Sequence, residues 1–162
     1  MKKWITVGVG VLVLLGLVAA VQQYGIGLDN GLKAQLNDFR KQLNDQYLQV
    51  SAQKKLLDEE LNPGLERIYN ANGTVHTSEG EQLLAKVWKL QGELANIEAT
   101  TLKLAEEIND LQRKVIADTP GKPLEQSVKD AFNDLRRKVS LTITLIQDVY
   151  ADDPDEFCPS CH

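Results

Sequence analysis

Apolar residues recur at steps of three and four over most of this chain, which is the spacing of one face of a helix rather than of a strand. Three such stripes follow one another. The first runs through Leu32, Leu36, Phe39, Leu43, Tyr47, Val50, Leu57 and Leu61, with Lys54 interrupting it. Its extra four-step at Phe39-Leu43-Tyr47 resembles a stutter in a coiled coil. Asp29 is the expected N-cap. Asn62-Pro63-Gly64 is expected to end or kink the helix, because proline removes a backbone donor and restricts the residue before it. One further turn over Leu65–Tyr69 and a turn at Asn70-Ala71-Asn72-Gly73 come next.

The second stripe is the most regular. Leu83, Val87, Leu90, Leu94, Ile97, Thr101, Leu104, Ile108, Leu111 and Val115 alternate steps of four and three, as a left-handed helical packing requires. Ser78-Glu79-Gly80-Glu81 has the form of a capping box at its start. Thr101 is the one polar member and is expected to specify register. Trp88 and Leu102 widen the apolar face and point to more than one neighbouring helix. Thr119-Pro120-Gly121-Lys122-Pro123 then stops and restarts the chain, with Pro123 placed for a first helical position. The third stripe is Val128, Phe132, Leu135, Val139, Thr142, Ile146 and Val149, with Arg136, Arg137 and Lys138 on a solvated face. Short loops between the stripes predict antiparallel neighbours.

A different pattern precedes these stripes. Met1-Lys2-Lys3 is followed by Trp4 to Val21 without a charge, about 18 residues, enough to cross a hydrocarbon core. Val18-Ala19-Ala20 would serve as a cleavage site in a signal peptide; the preferred reading is an uncleaved anchor. Lys2 and Lys3 on one side, against Asp29 and Lys33 on the other, put the N-terminus in the cytoplasm by the positive-inside rule. The expectation is therefore an all-α protein: a single transmembrane helix and then an antiparallel three-helix bundle. Its parts are an anchor (1–24), an extracytoplasmic bundle (25–151) and an acidic tail (152–162). The expected place is the cell inner membrane, single-pass, with the bundle periplasmic. Membrane lipid and protein partners, in a membrane complex or as copies of the chain, are then implied.

Composition refines this picture in two ways. Net charge is −5 with aromatics at 6%, and no basic patch is large enough for nucleic acid. No nucleophile–base pair, phosphate loop or carboxylate pair stands out, so no enzyme activity is expected. The chain holds two Cys and two His. Both Cys and one His fall together at Cys158-Pro159-Ser160-Cys161-His162. Two thiols three positions apart can each join one haem vinyl group, and the histidine after them can bind the iron. The same residues have other uses: half of a zinc site, a redox dithiol, or an inert tail. His76, in the loop between the first two helices, is the other histidine. Antiparallel packing would bring it to the end where the tail begins. It would then serve as a second axial ligand beside His162, or as a zinc ligand with Cys158 and Cys161.

The tail resembles the haem-attachment motif of c-type cytochromes, and the nearest architecture is the cytochrome c′-like helical bundle. That likeness implies covalent haem c on Cys158 and Cys161, iron on His162, and a mono-haem electron-transfer subunit of a larger membrane complex. It covers those three residues alone: three helices stand where that bundle has four, and an acidic linker precedes the motif. Lys2-Lys3-Trp4, the long helices and Leu90-Gln91-Gly92-Glu93-Leu94 are similar to the LemA family of membrane-anchored helical bundles. That likeness implies instead a scaffold or assembly subunit with an incidental or zinc-binding tail.

Overall fold

The structure, a computed structural model, describes residues 27–151 of the chain. They form three antiparallel rods. The first comprises α1 (Asn30–Leu56), a π turn (Leu57–Leu61) and α2 (Asn62–Asn72), without a break. The second is α3 (Ser78–Ala117) and the third α4 (Gln126–Ala151). The all-helical bundle expected from the stripes is therefore present.

No helix among the described residues is long and apolar enough to cross a membrane. Each carries its apolar side chains in stripes flanked by charges, so none offers an uncharged span; α3, 40 residues long, has charged residues throughout. This corrects the fold expected to open with a transmembrane helix, and with it the single-pass inner-membrane placement. The stretch Trp4 to Val21, on which both expectations rested, lies outside the described residues, as do the 1–24 anchor and the 152–162 tail.

Helix starts follow local chemistry. Asp29 caps α1, its Oδ1 accepting from the Leu32 N–H at 2.7 Å. The cap of α3 is Thr77, one residue ahead of the expected Ser78. Its Oγ1 accepts from the Gly80 N–H at 3.1 Å, and Glu81 N–H donates to its carbonyl. Helix α4 begins at Gln126 rather than at Pro123.

The Asn62-Pro63-Gly64 sequence does not end the first rod. The π turn absorbs it: the Asn62 N–H donates to the Leu57 carbonyl, five residues back. A wider turn makes room for the Pro63 ring, which in an α-helix would collide with the preceding turn. The wide turn also resets the stripe. Leu57, Leu61 and Leu65 are all buried at consecutive four-residue steps. The change of phase expected at Phe39-Leu43-Tyr47 thus occurs further along the same rod, at Leu57–Leu61. Tyr47 is 43% exposed. Between Leu43 and Val50 the inward position belongs to Gln46 instead.

Gln46 belongs to a polar layer that divides the core. On one side lie Leu36, Leu43, Leu104, Ile108, Phe132 and Leu135. On the other lie Val50, Leu57, Leu94, Ile146, Val149 and the residues toward the α2–α3 turn. Thr101 and Thr142, both fully buried, sit between. Thr101 Oγ1 is 2.8 Å from Gln46 Oε1 and 2.8 Å from the Ile97 carbonyl, and Thr142 Oγ1 donates to the Lys138 carbonyl. This cross-rod hydrogen bond is the contact through which Thr101 would act on register.

Candidate functional site

His76 is the one sequence-derived site residue within the described residues. It lies in the turn joining α2 to α3, and glycines shape that turn. Gly73 ends α2 at φ 67°, a left-handed conformation that side chains resist, and its N–H returns to the Tyr69 carbonyl. Gly80 lets the turn fold onto the first turn of α3: a Cβ there would stand 1.9 Å from the Val75 carbonyl oxygen. Gly64 brings α2 close to α3, since its Cβ would meet Leu83 Cδ1 at 2.8 Å. Val75 is buried and His76, next to it, is exposed.

The His76 backbone N–H donates to Thr74 Oγ1, and ring Nδ1 lies 2.7 Å from Glu81 Oε1. The carboxylate orients the ring through Nδ1. Among the described residues no group of three or more His, Cys, Asp or Glu is placed to hold a metal ion.

Cys158, Cys161 and His162 lie outside the described residues. The distance they must cover to reach His76 follows from the register of the rods. Arg40 meets Asp134 and Lys138 meets Asn44, each pair 94 residues apart in a parallel pairing. Ala151 is therefore level with Leu57. Beyond that level α2 runs on with α3 alone, for about fifteen residues or roughly 22 Å. Cys158 is seven residues past Ala151, a reach of at most about 25 Å. The tail thus spans the interval only when close to fully extended.

The basic run on α4 is not simply solvated. Arg136 donates to Asn109 and Gln112 of α3, and Lys138 to Asn44 of α1 at 2.9 Å. Asp134 receives Arg40 at 3.3 Å and Arg137 at 3.0 Å. Burial alone would raise the Asp134 pKa. The hydrogen bonds from Arg137 and Arg40, with Lys138 nearby, outweigh it and hold the carboxyl below its usual value. Two recesses open on the bundle surface, one of them on α4. One, about 290 Å³ between α1 and α3, is lined by Gln42, Gln46, Gln49, Thr100, Lys103 and Glu107 among others. The other, about 270 Å³, is lined by Asp130, Asn133, Asp134 and Arg137. Both offer hydrogen bonds and charge, and neither sets a nucleophile beside a base.

The largest exposed apolar side chains of α3 are of another kind. The more than one neighbouring helix expected of α3 is present, in the first rod and α4, but Trp88 at 52% and Leu102 at 51% exposure are not the residues that meet it. Between and beside them Ala85, Gly92, Ala95 and Ala99 are also exposed. A Cβ built on Gly92 meets nothing within 4 Å. These six positions repeat the three–four spacing of the core stripe on the opposite side of the same helix. The sequence carries this second stripe, but its alanines and glycine are weak hydrophobic signals beside the leucines of the first.

No family model matches the chain, and no curated protein or solved structure matches it either.

Proposed function

We propose that this protein is a helical scaffold, holding partner protein along the outer face of its long second rod. The observation that supports this is the stripe from Ala85 to Leu102, apolar and open to solvent, with Trp88 and Leu102 each about half exposed. Exposed tryptophan beside small residues suits helix docking: the small residues admit a neighbouring backbone, and the indole supplies contact area at low entropic cost. The test places a photoreactive phenylalanine analogue at Trp88 and irradiates cells making the full chain. A discrete protein adduct at position 88, absent when the analogue replaces Lys114 on the same helix, is expected. No adduct at position 88 overturns the scaffold reading.

A second reading rests on a different observation, the Cys158-Pro159-Ser160-Cys161-His162 motif. In that reading the bundle carries one covalent haem c and passes electrons. Cys158 and Cys161 would hold the haem through thioether bonds, and His162, with His76 as a second ligand, would bind its iron and so supply the redox centre. Zinc on Cys158, Cys161 and His76 is the alternative use. The reduced absorbance spectrum of protein made with haem-attachment machinery decides. A c-type spectrum that disappears in the Cys158→Ala/Cys161→Ala variant supports haem, about one zinc per chain replaces it, and neither leaves the scaffold reading alone.

A further inference from the structure

We propose that the partner on the α3 outer face is a second copy of this chain, packed antiparallel so that residues 85 to 102 of one copy lie along 102 to 85 of the other. This rests on the scaffold reading and gives its partner a chemistry.

The argument is one of size. The stripe reads Ala85, Trp88, Gly92, Ala95, Ala99, Leu102, with steps of three and four throughout. Laid antiparallel about its midpoint, it sets every large residue against a small one. Trp88 faces the partner's Ala99, Leu102 faces the partner's Ala85, and Gly92 faces the partner's Ala95. Knobs of one helix then fill holes of the other, and the Gly–Ala centre lets the backbones approach. A parallel pairing would set Trp88 on Trp88 and Leu102 on Leu102, holding the helices apart where the Gly–Ala centre needs them close. The antiparallel arrangement is two-fold symmetric, so both copies use one patch and the assembly closes at two.

The flanking charges accept the same register. Beside the stripe, Lys89 approaches the partner's Asn96, Lys103 the partner's Gln82, and Gln91 the partner's Glu98. No like charges oppose one another along it. The contact ends at either side where Glu106 comes opposite the partner's Glu81, which bounds it to the apolar positions. Trp88, Leu102 and the small residues of the stripe are all exposed. The stripe covers seventeen residues of rise, roughly 26 Å of helix. Such a contact is smaller than the roughly 800 Å² per partner of standard interfaces, so micromolar rather than nanomolar pairing is expected.

Sedimentation equilibrium of the full chain tests this, beside the variant Ala95→Glu, which puts a charge at the centre of the stripe on an exposed position. Circular dichroism checks that the variant keeps its helix content. Concentration-dependent dimer in the wild type, weakened at least about tenfold in Ala95→Glu, is expected. A wild type that stays monomeric up to about 100 μM, or self-association that Ala95→Glu leaves unchanged, overturns the proposal. Orientation is read separately in chains with Cys158→Ser and Cys161→Ser. Mixed Ala85→Cys and Leu102→Cys chains should join to each other on oxidation. Joining of like with like overturns the antiparallel pairing. The adduct at position 88 separates this proposal from the scaffold reading beneath it: an adduct of twice the chain mass supports both, and an adduct with a different protein keeps the scaffold and overturns the pairing.

Discussion

Single side chains in this bundle differ sharply in what they hold. Leu104 is 6% exposed and belongs to the core around Phe132 and Leu135. Leu104→Ala should lower unfolding free energy by roughly 2–5 kcal/mol in denaturant melts, the transfer loss plus the cavity left behind. A loss under about 0.5 kcal/mol would mean that this face is not packed. Asp134 behaves differently because its contribution depends on ionisation. Its folded pKa is depressed, so its stabilisation is present at pH values above the unfolded carboxylate value. It is lost as pH falls through the lower, folded value. Asp134→Asn should therefore cost about 0.5 kcal/mol at pH 7, where partly exposed ion pairs are screened, and less at pH 2. An equal cost at both pH values would show that its charge is not what matters.

At the scale of elements, the α2–α3 hairpin depends on backbone proximity. Gly80→Ala would drive Cβ into the Val75 carbonyl, a backbone atom that cannot rotate away. The expected cost is about 1–3 kcal/mol, with the Val75 turn displaced from α3. Gly64→Ala meets only the end of the Leu83 side chain, which has other rotamers, and should cost less. Thermal melts of the two variants give the ranking; Gly64→Ala being the more harmful would show that the α2–α3 approach, not the turn, limits this hairpin. The π turn belongs to the same scale. Pro63 was legible as a disturbance, since its missing donor is a property of the residue. That the disturbance would become a wide turn rather than an end was not legible. It was decided by Leu61 and Leu65, whose burial against α3 requires the rod to continue in the shifted phase.

For the molecule as a whole, the polar layer sets which core residues share a level. Thr101 bonds to Gln46 across the rods, and Gln53 Nε2 reaches Glu93 Oε2 at 2.9 Å in the same register. Thr101→Val removes the buried hydroxyl and leaves the Gln46 amide to find another partner. Its stability effect should be small, about 1 kcal/mol or less of either sign. Its effect on uniqueness should be larger, since the buried polar contact would be gone and only exposed ones, Gln53–Glu93 and Gln46–Thr100, would still oppose a heptad slip of α1 along α3. Broadened amide NMR signals around residues 46 and 101 would show this; a spectrum as sharp as the wild type would assign register to the loops instead.

The all-helical class, the three stripes, the Asp29 cap and the polar place of Thr101 were determined by the sequence alone, because periodicity and capping are local properties. The haem-attachment spacing at Cys158, Cys161 and His162 is legible in the same way, as a local pattern of residue types. Tertiary structure decided what depends on neighbours distant in the chain. Tyr47 and Gln46 are adjacent, and only packing against α3 chose the glutamine for the interior: its amide oxygen finds Thr101, while the tyrosine is left exposed. Likewise Trp88 and Leu102 read as core by composition. Their exposure follows from where α1 and α4 sit around α3, and a count of apolar residues contains no information about that.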